Sequence, residues 1–219
     1  MAPLADKSNT PHPGTAVASA PLAKIRPDSV GFDFDGVIAD IGEAFIRLAC
    51  DSYGYCSITL EDINSFQVEH CIDMPQKIVE RIFDDILQDS LGIGLKPMAG
   101  AVETLARLSL VADVTIITAR PALQPVRDWF DFYCTPEIRK NIRLVATGDH
   151  DNKEEYIREC GLQHFIDDRT LTCLQLAEAG LSPIVYTQPW NRNQHALPAV
   201  ANWDEIADLF DFSMATDKE

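Results

Sequence analysis

Apolar positions along this chain follow two different periods, and the change from one to the other predicts its elements. Val30 to Phe34 is a short apolar run ending in polar residues, the mark of a buried strand. Ile41, Phe45 and Leu48 then fall at helical spacing. A further helix is expected from about Pro75 to Leu87, with Ile78, Val79, Ile82, Phe83 and Ile86 on one face and a proline at its start. Tyr53, Tyr55, Phe66 and His70 lie in a poorly periodic stretch between them. Residues 41–95 therefore read as a small helical module.

After Lys96-Pro97 strands and helices alternate regularly. Strands are expected at Val114 to Ile117 (ending at Thr118), Ile142 to Ala146, His164 to Ile166 (ending at Asp167-Asp168) and Pro183 to Thr187. Helices are expected near 99–108, from Pro121 towards Tyr133, and near 153–160, 171–179 and 203–210. Five β runs separated by helices imply a parallel sheet covered on both faces. The fold class is α/β, a Rossmann-like three-layer parallel sheet. Residues 28–40 and 96–219 form its core, and the helical module enters after the first strand. Residues 1–27 carry five prolines among small residues and bury too little apolar area to offset ordering. They read as a flexible tail, with an ordered arm over a neighbouring subunit as the alternative.

Length and composition suit one α/β domain with an insertion. The 219 residues are 46% hydrophobic and 24% charged, near globular averages. The formal charge of −16 repels nucleic-acid backbones and anionic lipid, so no nucleic-acid polymer is expected as a partner. A small anionic substrate stays open, because a bound cation can reverse the sign of a pocket. No run of about 18 apolar residues occurs, so no membrane span is expected, and the N-terminus lacks a secretory h-region. Six cysteines, at 50, 56, 71, 134, 160 and 173, form no C-x-x-C pair. Cys50, Cys56 and Cys71 match no zinc spacing. Free thiols in a reducing cytoplasm are expected.

Polar residues that directly follow apolar strands carry the chemistry, because ligands of such sheets bind beyond the strands' carboxyl ends. Here they are Asp33 and Asp35, Thr118, and Asp167 with Asp168. Residues i and i+2 of a strand point the same way, so Asp33 and Asp35 repel unless a cation or shared proton intervenes. Gly36 permits a sharp turn and close backbone approach. Each also has a structural reading: Thr118 as a cap ahead of Ala119-Arg120-Pro121, Lys153 as a solvated helix lysine, Asp168-Arg169 as an exposed helix start.

Asp33-Phe34-Asp35-Gly36-Val37 resembles motif I of the haloacid dehalogenase-like (HAD) superfamily. The strand ending in Thr118 resembles motif II, Lys153 fits the motif III lysine, and Ile166-Asp167-Asp168 resembles motif IV. The order is the family's own, across residues 30–187. The resemblance implies that Asp33 is a nucleophile forming an aspartyl-phosphate and that Asp35 is the general acid and base. It implies Mg2+ held by the Asp33 carboxylate, the Asp35 carbonyl and the Asp167/Asp168 pair, with the direct ligand of that pair left open. Thr118 would hydrogen-bond a phosphoryl oxygen, and Lys153 would balance charge. Residues 41–95 resemble a C1-type helical cap. Thr118-Ala119-Arg120, Asp167-Asp168-Arg169 and Thr187 to Arg192 resemble the deoxyribonucleotidase-like branch. Arg120, Arg169 and Arg192 would then either bind the substrate anion or pair with surface carboxylates. Phe45, Tyr53, Tyr55 and Phe66 would either stack on a nucleobase or pack the module. His70 and His195 receive no role.

The expected function is hydrolysis of a small phosphorylated metabolite, with a nucleoside monophosphate favoured. Sugar phosphates and phosphoglycolate are alternatives, and a homodimer stays open. A catalytically silent binding module is the reading from another class, although every required side chain is present. A phospho-acceptor signalling domain would place its lysine last, whereas Lys153 precedes Asp167. Hydrolytic dehalogenation has no use for Asp35. The turn after the first strand lacks the G-x-G-x-x-G of dinucleotide binding.

Overall fold

In the computed structural model, residues 24–212 are described. Six parallel strands form one sheet in the order β3-β2-β1-β4-β5-β6. They are β1 (Val30–Phe32), β2 (Val114–Thr118), β3 (Ile142–Ala146), β4 (His164–Asp167), β5 (Ser182–Tyr186) and β6 (Ala199–Val200). The central strands are apolar on both faces because both faces are covered. Every residue of β1 and β2 is buried, while the edge strand β3 exposes Arg143. The register alternates side chains between two cores. Phe32, Ile116, Ile166 and Ile184 join the larger one, and Ile117 and Phe165 join Ile157, Leu162, Leu176 and Leu181 on the opposite face.

Helices α3 (Ala101–Ser109), α4 (Gln124–Tyr133), α5 (Pro136–Arg139), α6 (Lys153–Glu159), α7 (Thr170–Glu178) and α8 (Trp203–Asp208) accompany the sheet. Trp203 stacks on Phe32, with ring centroids 5.5 Å apart. Between β1 and β2 the chain forms α1 (Ile41–Tyr53) and α2 (Gln76–Gln88). Asp40 caps α1 by accepting from the Glu43 amide at 2.9 Å. Phe45 of α1 and Phe83 of α2 stack at 5.1 Å, and the larger core runs without a break from the sheet into this helical layer.

The expected elements are present, with local differences. β1 stops at Phe32 rather than Phe34, so Asp33 and Asp35 lie in the turn beyond it. Helix α4 begins at Gln124, with Pro125 in its first turn, not at Pro121. Both prolines fit a helix start equally well by sequence. Strand β6 is only two residues long, too short to leave a periodic signal. Of the segment expected to be a tail, residues 1–23 lie outside the described residues. The remainder is docked: the Ile25 amide donates to Leu209 O at 2.8 Å, and Ile25 bridges Phe210.

The free-thiol expectation fails at two cysteines. Cys50 and Cys56 form a disulfide, with Cα atoms 4.2 Å apart. Gly54 ends α1 in the left-handed region (φ 78°) and folds the chain back, bringing two cysteines six residues apart into reach. A search for C-x-x-C spacing misses that geometry. Cys71, Cys134, Cys160 and Cys173 are free. Among the described residues no helix is long and apolar enough to cross a membrane.

Candidate active site

The site forms where the strand order reverses. From β1 the chain runs out to β2 and β3 on one side, then returns to β4 on the other, so β1 lies between β2 and β4. The carboxyl ends of these three strands bring together Asp33, Thr118 and the Asp167-Asp168 pair. The Asp33 amide extends the pairing by donating to Ile166 O at 2.8 Å. The chain then turns sharply, as the Ile38 and Ala39 amides both donate to Phe34 O. Gly36 takes φ +76°, and a Cβ there would stand 2.2 Å from Asp168 Oδ2. Glycine therefore serves both the turn and the close approach of the two acidic motifs.

Lys153, the first residue of α6, is only 1% exposed. Its Nζ lies 2.8 Å from Asp33 Oδ2 and 2.7 Å from Asp167 Oδ2. Burial opposes its charge, but Asp167 and Asp33 outweigh burial and raise its pKa. A solvated helix lysine is thereby ruled out. Asp33, Asp167 and Asp168 are all buried and offer oxygens within 4.8 Å of one another. Three carboxylates thus share one ammonium. Burial, reinforced by Asp167, pushes Asp33 up to about 7 despite Lys153. Asp168 is raised well above the carboxylate range by burial first and then by Asp167 and Asp33. The cluster carries more negative charge than Lys153 offsets, and its donors are hard oxygens, a set that fits a divalent cation of the Mg2+ kind.

Asp35 faces a different cation. Arg120 Nε donates to Asp35 Oδ2 and Nη2 to Asp35 Oδ1, both at 2.7 Å. Arg120 is 3% exposed, and its guanidinium also stands 5.0 Å from the Phe34 ring centroid. Thr118 is buried at the end of β2, where its Oγ1 accepts from the Arg120 amide at 3.3 Å.

A loop after β5 braces the acidic motifs. Trp190 Nε1 donates to Asp168 Oδ2 at 2.9 Å, Asn191 Nδ2 donates to Asp168 O at 2.8 Å, and Gln188 Nε2 donates to Gly36 O at 2.8 Å. All three side chains are buried. The sequence marked Thr187 to Arg192 only as a family likeness, without a bracing role for Gln188, Trp190 or Asn191.

A cavity of about 310 Å³ opens over these groups. Asp33, Asp35, Asp168, Ala119 and Arg120 contribute to its floor, and Ile41, Phe45, Ile63, Val68, Phe83 and Leu87 of the helical layer contribute apolar wall. Of the aromatic candidates Phe45 and Phe66 line it, whereas Tyr53 and Tyr55 pack against the core. Phe83 lines it too, although the sequence assigned it only to packing. His150, to which the sequence gave no role, stands exposed at the rim with its ring edge-on to Phe66 at 5.5 Å. Arg169 is outside the lining. It pairs with Asp151 at 3.1 Å and stands 5.3 Å from the Phe66 ring centroid. Arg192 pairs with Glu61 on the surface.

Comparison with known proteins supplies the context for this geometry. A model of the family described as 5' nucleotidase, deoxy (pyrimidine), cytosolic type C protein matches residues 27–216. No curated protein matches the chain at a significant level. Among solved structures, a haloacid dehalogenase-like family hydrolase from Streptococcus pneumoniae superposes with a TM-score of 0.54 at 13% identity, covering 83% of this chain and 97% of its own. Two provisionally named proteins behave alike. A haloacid dehalogenase-like hydrolase from Bacteroides fragilis gives a TM-score of 0.55 at 16% identity, with 81% and 99% covered. A phosphoglycolate phosphatase from Lactobacillus plantarum gives 0.54 at 13%, with 84% and 99% covered.

Proposed function

The chain belongs to the 5' nucleotidase, deoxy (pyrimidine), cytosolic type C family of HAD-like phosphohydrolases, and from that premise we propose a divalent-metal-dependent phosphomonoesterase that acts through an aspartyl-phosphate on a pyrimidine deoxyribonucleoside monophosphate. The observation that carries this reading is the excess of negative charge at Asp33, Asp167 and Asp168 around the single ammonium of Lys153.

In this mechanism Asp33 attacks phosphorus. The bond from its oxygen to phosphorus forms as the bond to the leaving oxygen breaks, and Asp35 gives that oxygen a proton. Asp35 then takes a proton from water as the water displaces Asp33 and releases phosphate. Lys153 offsets the charge on Asp33 and the phosphoryl group, and Thr118 hydrogen-bonds a phosphoryl oxygen. Catalysis is thus mainly positioning and charge stabilisation. Mg2+, when bound, would supply a positive centre that lets the carboxylates and the phosphoryl group meet without repulsion. Asp33, Asp168 and the Asp35 carbonyl are its ligands in this reading. Asp167 is the weaker candidate, because its two carboxylate oxygens already accept from Lys153 and from the Arg169 amide at 2.8 Å. It is also absent from the cavity lining, which includes Asp168.

The helical layer acts as a cap that selects the leaving group. Its walls are apolar and aromatic, and among the described residues the one cation on the cavity floor, Arg120, is already paired. That favours a nucleoside over a polyhydroxylated sugar or the carboxylate of phosphoglycolate. A cytoplasmic location agrees with the family's description. The Cys50–Cys56 disulfide runs against it, because a reducing compartment keeps thiols reduced.

The test assays the full chain, with and without Mg2+, on pyrimidine deoxyribonucleotides, sugar phosphates and phosphoglycolate. The highest kcat/KM is expected on a deoxyribonucleotide, with activity abolished by a chelator. Equal or better turnover of phosphoglycolate overturns the substrate, and chelator-resistant turnover overturns the metal.

A further inference from the structure

We infer that Arg120 is a positioning residue for Asp35 and ties that carboxylate to the end of helix α2, rather than a group that binds the substrate anion. The inference rests on the acid–base role proposed for Asp35.

A guanidinium has five N–H groups. Four are already used: Nε and one Nη2 hydrogen on the two oxygens of Asp35, and Nη1 on Ser90 Oγ at 2.6 Å and Leu87 O at 3.3 Å. Only one is left for a phosphate oxygen. A substrate-binding arginine needs its bidentate edge free, and here that edge is taken. The guanidinium is also held in place. It lies against the Phe34 ring, in the residue between Asp33 and Asp35, and Phe34 in turn packs edge-on to Trp129 at 5.1 Å. Ser90 is buried, and its hydroxyl donates to Ile86 O at 3.0 Å, so the arginine's other anchor is fixed to α2 as well.

Two consequences follow for the reaction. The fork fixes the direction of the Asp35 carboxylate. Both oxygens accept from Arg120, so an oxygen that delivers a proton to the leaving group must first release its contact. Because Nη1 is held by Leu87 and Ser90, α2 and Asp35 are mechanically joined through one side chain, and a shift of α2 is passed directly to the acid. Arginine suits this role and lysine does not, since one ammonium cannot hold two carboxylate oxygens and a backbone carbonyl in a fixed plane.

The test compares kcat/KM, which reports phosphoryl transfer to Asp33, for a deoxyribonucleotide and for 4-nitrophenyl phosphate. The first has a poor leaving group that needs a proton, and the second does not. Arg120→Ala and Arg120→Lys are expected to lose roughly 100-fold on the nucleotide and less than about 3-fold on the aryl ester, the pattern of an impaired general acid. Ser90→Ala removes only the anchor and is expected to show the same split at about 3-fold on the nucleotide, so the test survives if Arg120→Ala fails to fold. The double variant Asp35→Asn/Arg120→Ala should be no slower than Asp35→Asn alone, because residues acting as one unit are not additive. Equal losses on both substrates, a loss confined to KM, or multiplying losses in the double variant would place Arg120 on the substrate and overturn the inference. If Asp35→Asn shows no split, the acid assignment falls and this inference with it. An inactive Asp33→Asn variant would still leave the nucleophile reading standing.

Discussion

Lys153 and Asp167 meet at 2.7 Å in a place where neither reaches solvent. The same ammonium holds Asp33, so among the described residues Lys153 is the one cation supporting a buried cluster of three carboxylates. Removing one partner of a buried pair leaves the other uncompensated, at about 3–5 kcal/mol. Lys153→Met should therefore lower unfolding free energy by about that much near pH 8, read by urea titration of the metal-free protein. The deficit should shrink towards pH 5, where the carboxylates can take up protons. A deficit unchanged between the two pH values would remove Lys153 from the charge-balancing role.

The raised carboxyl groups also set a pH window. Asp33 binds its proton up to about 7 in the folded protein, against 3.8 for an ordinary Asp. The folded state thus holds more protons between those values, so this contribution to stability is complete below about pH 4 and is lost as pH rises through 7. Asp168 is shifted in the same direction. A divalent cation must displace those protons, so its affinity should fall as pH drops below 7. Melting temperature measured with and without Mg2+ should show a large stabilisation at pH 8 and little at pH 5. A shift independent of pH would show that the cation binds elsewhere.

Much of this site was legible because the strands that carry it are continuous apolar runs. Asp33, Thr118 and Asp167 mark the ends of three such runs, and adjacency in a parallel sheet does the rest. What the sequence hid depends on direction rather than position. Arg120, two residues after Thr118, read either as a substrate ligand or as the partner of a surface carboxylate, and which anion it faces is fixed by the turn at Gly36 and by Ser90, thirty residues away. Phe83 sat in a helical apolar stripe, and periodicity alone cannot tell a residue facing a cavity from one facing the core. Cys50 and Cys56 are joined by a local reversal at Gly54 that no cysteine spacing rule encodes.

Phe83 and Phe45 form a stacked pair on the cavity wall, but Phe45 is fully buried and Phe83 only partly so. Phe83→Ala is thus the cleaner probe of the leaving-group pocket. Loss of one base–aromatic contact costs about 1–3 kcal/mol, which predicts KM for a deoxyribonucleotide rising by about 5- to 160-fold. Inhibition by inorganic phosphate, which does not reach the wall, should be unchanged. A KM within twofold of the parent protein would place the base elsewhere.

Trp190 reaches Asp168 through a single N–H, and this contact separates a bracing role from a packing one. The indole donates to Oδ2, while Asn191 holds the Asp168 carbonyl and Gln188 holds Gly36. The loop therefore grips both acidic motifs. Partners that orient a metal ligand commonly contribute 10- to 100-fold to affinity. Trp190→Phe keeps the ring's apolar bulk and deletes only the donor, so the fold should survive with a small change in melting temperature. Asp168 would lose the bond that fixes its rotamer, and Mg2+ binding measured by calorimetry should weaken by about 10-fold. Asn191→Ala strips two buried carbonyls, Asp168 O and Tyr186 O, of their donor and should cost stability as well as affinity. If Trp190→Phe leaves metal affinity untouched while Asn191→Ala lowers only stability, the loop is merely a lid on the sheet, and Asp168 is oriented by Gly36 and the strand end alone.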